Sequence, residues 1–241
     1  MLGLGHGINT DTCGTGEVFH NDYSIYFAGD DDYINLDSTL GPDIDSTSGT
    51  ISAWVKLETV SASGQILSCR RDSQNLIQLF YHASSNEMRA THKGNNTSKY
   101  AKIAAGETIE NSGNWHNIAM TWDTSEGEVK IYLDGTLKQT TTGIQAFSGA
   151  APNVCRIGES SATGSGYWKG HIDEISVFDE VVSISTLYNE GKPKDVEFSD
   201  LDGLIGYYRF TEGTGTSIGD ESGNGNTGTL VNGASFNDTT P

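Results

Sequence analysis

The segment from Trp115 to Gly135, WHNIAMTWDTSEGEVKIYLDG, constrains the fold more than any other part of the chain. Apolar residues alternate with polar or small residues in both of its halves, and a polar connector, Thr-Ser-Glu-Gly-Glu, joins the halves. Alternation with a period of two is typical of a strand that buries one face. The segment therefore predicts a long antiparallel hairpin, ended by a tight turn at Asp134-Gly135, in a sheet that packs on a second sheet.

Length and composition favour one all-β domain. The chain has 241 residues, of which 35% are hydrophobic, with 30 glycines and four prolines. All-β sandwiches often reach roughly 200–250 residues as a single unit. We expect a glycine-rich N-terminal arm at residues 1–20 and one domain at residues 21–241.

The charge balance excludes several partners. The net charge is −18, from 32 acidic and 14 basic residues. Such a chain repels the phosphates of nucleic acid and anionic membrane surfaces. No apolar run approaches the roughly 20 residues that span a bilayer, and the first residues lack the features of a secretory signal, so we expect no nucleic acid partner, no membrane insertion and no signal peptide.

Short strand-like segments recur along the chain with turn residues between them. Besides the hairpin, strands are predicted at residues 23–27, 33–36, 50–57, 65–69, 76–82, 87–91, 153–158 and 170–178. The polar, glycine-rich region 92–114 gives no strand prediction. Helix signals are confined to residues 183–189, so the pattern favours a sandwich or jelly roll.

The three cysteines are widely spaced and show no metal-ligand pattern. A buried free thiol is the default interpretation for Cys13, Cys69 and Cys155. A disulfide between Cys69 and Cys155 is the alternative.

Five motifs between residues 23 and 236 occur together in one protein family. They are YFAGDDDYINL (26–36), TISAWVKL (50–57), the 115–135 hairpin, GHIDEI (170–175) with the helical turn after it, and GYYRFTEGTGTSIGDESGNGNTGTLVNG (206–233). In combination they resemble the laminin G-like, concanavalin A-like jelly-roll family. The resemblance implies an all-β, two-sheet antiparallel jelly-roll sandwich with one short helical turn near residues 183–190.

The order of these motifs departs from the family pattern. In many members the fifth motif comes first, whereas here it comes last. Because the ends of a domain often lie close together, the C-terminal strand at residues 205–236 is expected to close the domain. It pairs either with its own sheet or with a neighbouring subunit.

Some glycosidases share this architecture, so a catalytic carboxylate pair has to be considered. Such enzymes hold two carboxyl groups roughly 5–9.5 Å apart. Asp173 and Glu174 are the best local candidates, but neighbours in a regular strand point to opposite faces. The Glu-x-Asp-x-x-Glu signature is absent, no serine motif has the required context, and the six histidines are scattered. We therefore predict no catalytic residue.

Calcium is the cofactor that the resemblance implies, as a structural ion. Calcium prefers carboxylate and carbonyl oxygens, which are dense in two loops of this chain. The family pattern suggests Asp220, Asn224 and Asp31 as ligands, with Asp173 as a further one. The alternative is that these residues form Asx-turns.

Glycan binding calls for exposed aromatic rings beside polar side chains. The Gly164–Lys169 loop contains Tyr167 and Trp168, and Tyr100 and His82 are further candidates. Core packing is the alternative role for Trp168.

Family resemblance also suggests a biological setting. Short stand-alone proteins of this type, with an MLGLG-like start and a DTTP-like end, resemble structural proteins of marine phages. This favours a non-catalytic virion surface protein, in capsid decoration or a tail appendage, that contacts other virion proteins or copies of itself and binds host-surface glycans. The alternatives are a free-standing, extracellular calcium-dependent lectin and a divergent glycoside hydrolase.

Overall fold

The computed structural model describes residues 21–58, 62–107, 109, 113–161, 164–193 and 201–241, so the predicted arm at 1–20 lies outside the described residues. Within these ranges the chain forms strands β1–β16, numbered in chain order, and two short helices, α1 (Leu40–Asp43) and α2 (Ile184–Tyr188). One 3-10 turn lies at Ala83–Ser85, and a second lies at Asn189–Gly191, directly after α2. None of the described helices has the length and apolar composition to cross a membrane.

Two antiparallel sheets form a sandwich, which confirms the predicted fold class. In spatial order, sheet A contains β10 (Thr136–Thr142), β9 (Glu128–Leu133), β8 (His116–Asp123), β3 (Ser48–Leu57), β12 (Lys169–Phe178), β1 (Ser24–Ala28) and β16 (Ser235–Asn237), with β13 (Leu204–Tyr208) paired to the second half of β12. Sheet B contains β14 (Ser217–Ile218), β15 (Gly228–Val231), β2 (Tyr33–Asn35), β11 (Val154–Ile157), β4 (Gly64–Asp72), β5 (Asn75–His82), β6 (Glu87–Gly94) and β7 (Thr97–Ile103).

The predicted hairpin is β8 and β9. Its register runs from Ile118 opposite Leu133 to Asp123 opposite Glu128. The alternating apolar side chains enter the core between the sheets, and Trp122 is 1% exposed with its indole N–H donating to the carbonyl of Asp45 at 3.0 Å. The hairpin is therefore scaffold, because its apolar face is used for packing.

Strands β7 and β10 were not predicted. Both are edge strands with mainly polar sequences, TSKYAKI and TLKQTTT, so they carry little of the apolar alternation that marks a strand. The overlooked signal for β7 is the turn before it. Asn95 and Asn96 both have positive φ, 47° and 62°, as a two-residue hairpin turn requires.

The C-terminal segment joins both sheets of its own chain. β13 pairs with β12, and β15 pairs with β2. Helix α2 covers the outer side of sheet A at this end, where Leu187 packs with Phe178 and Tyr207 in a second apolar cluster.

Cys69 and Cys155 are joined in a disulfide. They lie directly opposite each other on β4 and β11. The default prediction of free thiols is thus wrong for these two residues, because strand pairing brings together positions that are 86 residues apart. Cys13 lies outside the described residues.

Candidate functional site

Six neighbouring strands of sheet B turn every second side chain away from the core. Antiparallel pairing places one such residue from each strand in a single row, namely Asn35, Arg156, Ser68, Gln78, Thr91 and Tyr100. The next row contains Phe80, Arg89 and Lys102. We call this surface the outer face of sheet B. It combines amides, hydroxyls, guanidinium groups and aromatic rings, which are the groups that bind sugars.

At one end of the face, polar contacts link His82 to Tyr100. His82 Nδ1 lies 2.7 Å from Ser85 Oγ, which donates to Glu87 Oε2 at 2.9 Å. Arg89 donates to the same oxygen at 2.7 Å, and its guanidinium lies 4.6 Å from the centre of the Tyr100 ring. Tyr100 is 42% exposed, and no other aromatic residue in the described chain is as open to solvent. The ring is therefore positioned by a cation and remains accessible.

The carboxylate of Glu87 lies between two cations beneath this surface. Lys102 Nζ donates to Glu87 Oε1 at 2.5 Å, on the opposite side from Arg89. Burial alone would raise the pKa of Glu87, but the hydrogen bonds from Lys102, Arg89 and Ser85 outweigh it and lower the pKa to about 2. Burial, followed by the charge of Arg89, lowers the pKa of His82. At neutral pH the cluster therefore contains an ionised Glu87 and a neutral His82.

At the other end of the face, Arg156 occupies a similar central position. It donates to Glu159 at 2.6 Å and to Asp37 at 3.4 Å, and its guanidinium lies 4.6 Å from the centre of the Tyr33 ring. Glu159 is only 2% exposed. The pairing of these charges compensates for their burial and fixes the direction of the arginine.

The loop after β11 brings Tyr167 to this end. The loop turns back on itself, so that the backbone N–H of Trp168 donates to the carbonyl of Gly158 at 2.7 Å. Burial, and then the negative charges of Glu159 and Asp31, raise the pKa of the half-buried Tyr167. The phenol therefore lies near these two carboxylates, at the edge of the outer face.

Two of the four predicted sugar-contact residues, Tyr100 and His82, thus lie on the outer face of sheet B, and Tyr167 lies in the loop at its edge. Trp168 is not part of this surface, because it is fully buried in the core. Neighbouring residues of an extended segment point to opposite sides, so the chain that turns Tyr167 outward turns Trp168 inward. Trp168 therefore packs in the core, which was the alternative interpretation of this residue.

The charged residues that organise the face were not predicted from the sequence. Arg89, Glu87, Arg156 and Glu159 were not among the candidates. The available signal was the alternation within β6, where Glu87, Arg89, Thr91 and Lys93 occupy every second position between core residues.

The four predicted calcium ligands lie in separate parts of the structure. Asp220 uses both carboxylate oxygens inside the protein: it accepts from the backbone N–H groups of Tyr207, Ser222 and Asn226 at 2.8–3.0 Å and from the Ser222 hydroxyl at 2.8 Å. Asn224 donates its side-chain amide to the carbonyl of Leu204 at 2.8 Å. These two residues organise the loop before β15 through hydrogen bonds to the backbone. This corresponds to the alternative interpretation, in which they form Asx-turns.

Asp31 is exposed in the turn between β1 and β2, and Asp173 is fully buried on β12. In the described chain no three acidic, histidine or cysteine side chains are grouped in a way that could hold a metal ion. The predicted four-residue set is therefore not assembled, and calcium binding stays a prediction without an identified ligand set.

Asp173 and Glu174 do not point to opposite faces, which corrects the prediction. The ladder between β12 and β3 shifts between Asp173 and Ser176, and Glu174 has a φ of 47°, so the strand contains a bulge. Ile172 and Ile175 both enter the core, and the two acidic residues between them share the outer side of sheet A. A regular period of two, on which the prediction relied, does not hold at a bulge.

The paired acids are nevertheless inaccessible. Asp173 is 0% and Glu174 is 5% exposed, and Tyr207 and Arg209 contact Glu174. Burial, and then the charge of Glu174, raise the pKa of Asp173 well above its usual range. Burial raises the pKa of Glu174 to about 7, against the effects of Tyr207 and Arg209. The pair offers no surface to a sugar in this fold.

A family model described as the concanavalin A-like lectin/glucanases superfamily (Laminin_G_3) matches residues 28–186. This is well over half of the chain, and the protein belongs to that family.

Similar proteins share the fold at low identity. A putative carbohydrate binding protein from Bacteroides ovatus has 18% identity and a TM-score of 0.66, covering 90% of this chain and 60% of that one. The sialidase module CBM40 of Ruminococcus gnavus, bound to α2,6 sialyllactose, has 14% identity and a TM-score of 0.55, covering 70% of this chain and 97% of that one.

Among curated proteins, the rat "Sushi, von Willebrand factor type A, EGF and pentraxin domain-containing protein 1" is 33% identical over 81 residues. The match covers 30% of this chain and 2% of the rat protein.

Proposed function

We propose that this protein is a non-catalytic carbohydrate-recognition protein that binds glycans on the outer face of sheet B. The observation that carries the proposal is that Tyr100 and His82 lie on this face, with Tyr167 in the loop at its edge, among side chains that can donate to and accept from sugar hydroxyls. Membership of a lectin and glucanase superfamily, and the likeness in fold to carbohydrate-binding modules, support the same function.

The outer face of sheet B is better suited to binding a sugar than the described acidic residues are to cleaving one. A glycosidase needs two accessible carboxyl groups. On the outer face of sheet B, Glu87 and Glu159 are each paired with cations and buried, and on sheet A the Asp173–Glu174 pair is enclosed. We therefore assign the face to recognition.

The cellular setting is a further part of the proposal. The resemblance to structural proteins of marine phages supports a place on a virion surface, with other virion proteins or copies of this chain as partners. An extracellular lectin is the second candidate, supported by family membership. Mass spectrometry of purified virus particles decides between them, since the virion assignment requires stoichiometric amounts of the protein in the particle.

The binding function is tested on a glycan array followed by calorimetry. We expect Tyr100→Ala to lower affinity about threefold to tenfold, because it removes an aromatic stacking surface. Tyr132→Ala is the matched control, since Tyr132 is a half-buried tyrosine on sheet A. Equal affinity of Tyr100→Ala and the wild type for every bound glycan would remove this face from the function. Release of reducing sugar by the wild type would support the hydrolase alternative.

A further inference from the structure

Charge is strongly segregated along this chain. Residues 64–103, which form β4 to β7, contain six of the 14 basic residues and only two of the 32 acidic ones, a net charge of +4. The other 201 residues contain eight basic and 30 acidic residues and therefore have a net charge of −22. Four consecutive strands of one sheet are thus positive in an otherwise acidic protein.

Four of these basic residues point outward. Arg70 and Lys93 flank Leu76 in one row of the outer face of sheet B, and Arg89 pairs with Lys102 in another. Lys93 donates to the backbone carbonyl of Ser73 at 2.7 Å, and no described carboxylate pairs with it.

The two acidic residues of β4 to β7 compensate only part of this positive charge. Glu87 is buried beneath Lys102 and Arg89, with an exposed fraction of 8% for its side chain. Asp72 lies at the turn between β4 and β5, beside Arg71 at 3.8 Å. The surface formed by β5 to β7 therefore presents cations to solvent.

The exposed ring of Tyr100 lies among these cations. Tyr100 is opposite Thr91, so Arg89 and Lys93, two residues to either side of Thr91, flank it diagonally. Such diagonal positions are roughly 7–8 Å apart, still within the reach of a long side chain, so a lysine there can extend towards a ligand on the ring. One aromatic platform with a cation on each side matches a sugar that carries an acidic group.

We propose that the β4–β7 half of the outer face of sheet B binds carboxylated polysaccharide, with a uronate ring on Tyr100 and its carboxylate at Lys93. This inference rests on the proposed function and names its ligand class. A local positive surface in a negative protein concentrates an anionic ligand at that surface and repels it elsewhere. Lysine and arginine already hold a carboxylate on this face, that of Glu87, which is the interaction that the ligand would repeat at Lys93.

The test uses calorimetry to compare polygalacturonate with its fully methyl-esterified form, which has the same sugar backbone but an uncharged methyl ester in place of each carboxylate. We expect the wild type to bind polygalacturonate more tightly than the ester. Its affinity for polygalacturonate should fall between about 50 and about 300 mM salt, because salt screens exposed charges. Lys93→Gln should lower the affinity about threefold and Lys93→Glu about tenfold, with no effect on the ester. Lys56→Glu, on sheet A, is the matched control and should change neither affinity.

The alternative outcomes are distinguishable. Equal binding of both polymers would overturn the charge inference and leave glycan recognition intact, whereas an array without any bound glycan would remove the proposed function itself. If the protein binds dextran sulfate but not polygalacturonate, the assignment to carboxylated ligands is overturned. The protein could instead show a doubled molar mass at low salt, lost in Lys93→Glu, and bind no glycan. That result would show that this face binds the acidic surface of a second copy of the chain.

Discussion

The phenolic hydroxyl of Tyr207 donates a hydrogen bond to the carboxylate of Glu174, and this contact connects the bulge of β12 to the C-terminal strand β13. Asp173 lies next to Glu174 on the same side of the sheet, and Arg209 Nε lies 3.6 Å from Glu174 Oε1. Among the described groups near the pair, Arg209 is the only cation that affects its titration. The free energy of unfolding should therefore depend on pH through these two acids.

The pH dependence has a defined sign. Glu174 ionises near pH 4.5 in the unfolded chain and near pH 7 in the fold. As pH rises between these values, the unfolded state loses the proton first, so the free energy of unfolding falls, by ~3 kcal/mol, and then levels off. The raised pKa of Asp173 acts in the same direction.

Glu174→Gln should remove the part of this pH dependence that comes from Glu174, while keeping an acceptor for Tyr207. In urea titrations the variant should match the wild type at about pH 4.5 and exceed its stability at about pH 8. Glu126→Gln, an exposed residue in the β8–β9 turn, is the control. A constant difference between Glu174→Gln and the wild type across this range would show that the pair does not titrate as we expect.

The disulfide between Cys69 and Cys155 should contribute substantially to stability. It closes a long loop, with a sequence separation of 86 residues, and so reduces the number of conformations open to the unfolded chain. The double variant Cys69→Ser/Cys155→Ser should lose about 2–5 kcal/mol in urea unfolding. Peptide mapping without reductant should recover the linked Cys69 and Cys155 peptides, and recovery of both as alkylated free thiols would contradict the disulfide.

Asp220 should be required for stability in the absence of calcium. Asp220→Ala leaves three backbone N–H groups without their acceptor and should cost about 2–4 kcal/mol in chelator. Asn224→Ala, at an exposed position of the same loop, should cost less. Wild-type stability of Asp220→Ala in chelator would contradict this role.

The same variant tests the calcium prediction. If calcium binds through Asp220, added calcium raises the melting temperature of the wild type but not of Asp220→Ala. An equal rise in both proteins would place the ion elsewhere.

Gly135 should not tolerate a side chain. Its φ is 73°, and a Cβ atom there would lie 2.7 Å from the Tyr188 ring, which stacks on Trp54 with 5.9 Å between ring centres. Gly135→Ala should therefore destabilise the protein by about 1–3 kcal/mol more than Gly106→Ala. Gly106 also has a positive φ, 93°, but open space around it, so the comparison isolates the clash. Equal melting temperatures for the two variants would show that Tyr188 moves away.

Much of the fold could be predicted because its signals are local. The alternation in β8 and β9 identified the hairpin, and the five motifs identified the family, which the match over residues 28–186 shows. Strands β7 and β10 escaped because edge strands with polar sequences bury too little to show alternation. The bulge at Glu174 escaped because one left-handed residue breaks the period without an obvious mark in the sequence.

The candidate site could be predicted only in part. Tyr100, His82 and Tyr167 were named as separate candidates from their residue type, but nothing in their spacing showed that they lie on, or at the edge of, one face. Trp168 was misjudged as a contact because its type suits both a binding surface and a core. The side chains that position Tyr100 and Arg156 were missed, since an ion pair depends on which strands become neighbours.

By itself, the sequence determined the family, most of the strands and, wherever a strand is regular, the side that enters the core, because a period of two is a property of consecutive residues. Only the tertiary structure decided which strands lie side by side. Pairing β4 with β11 joined two cysteines, and pairing β6 with β7 placed Tyr100 between Arg89 and Lys93. These contacts depend on register between segments distant in the chain, and register is set by the packing of the whole sandwich.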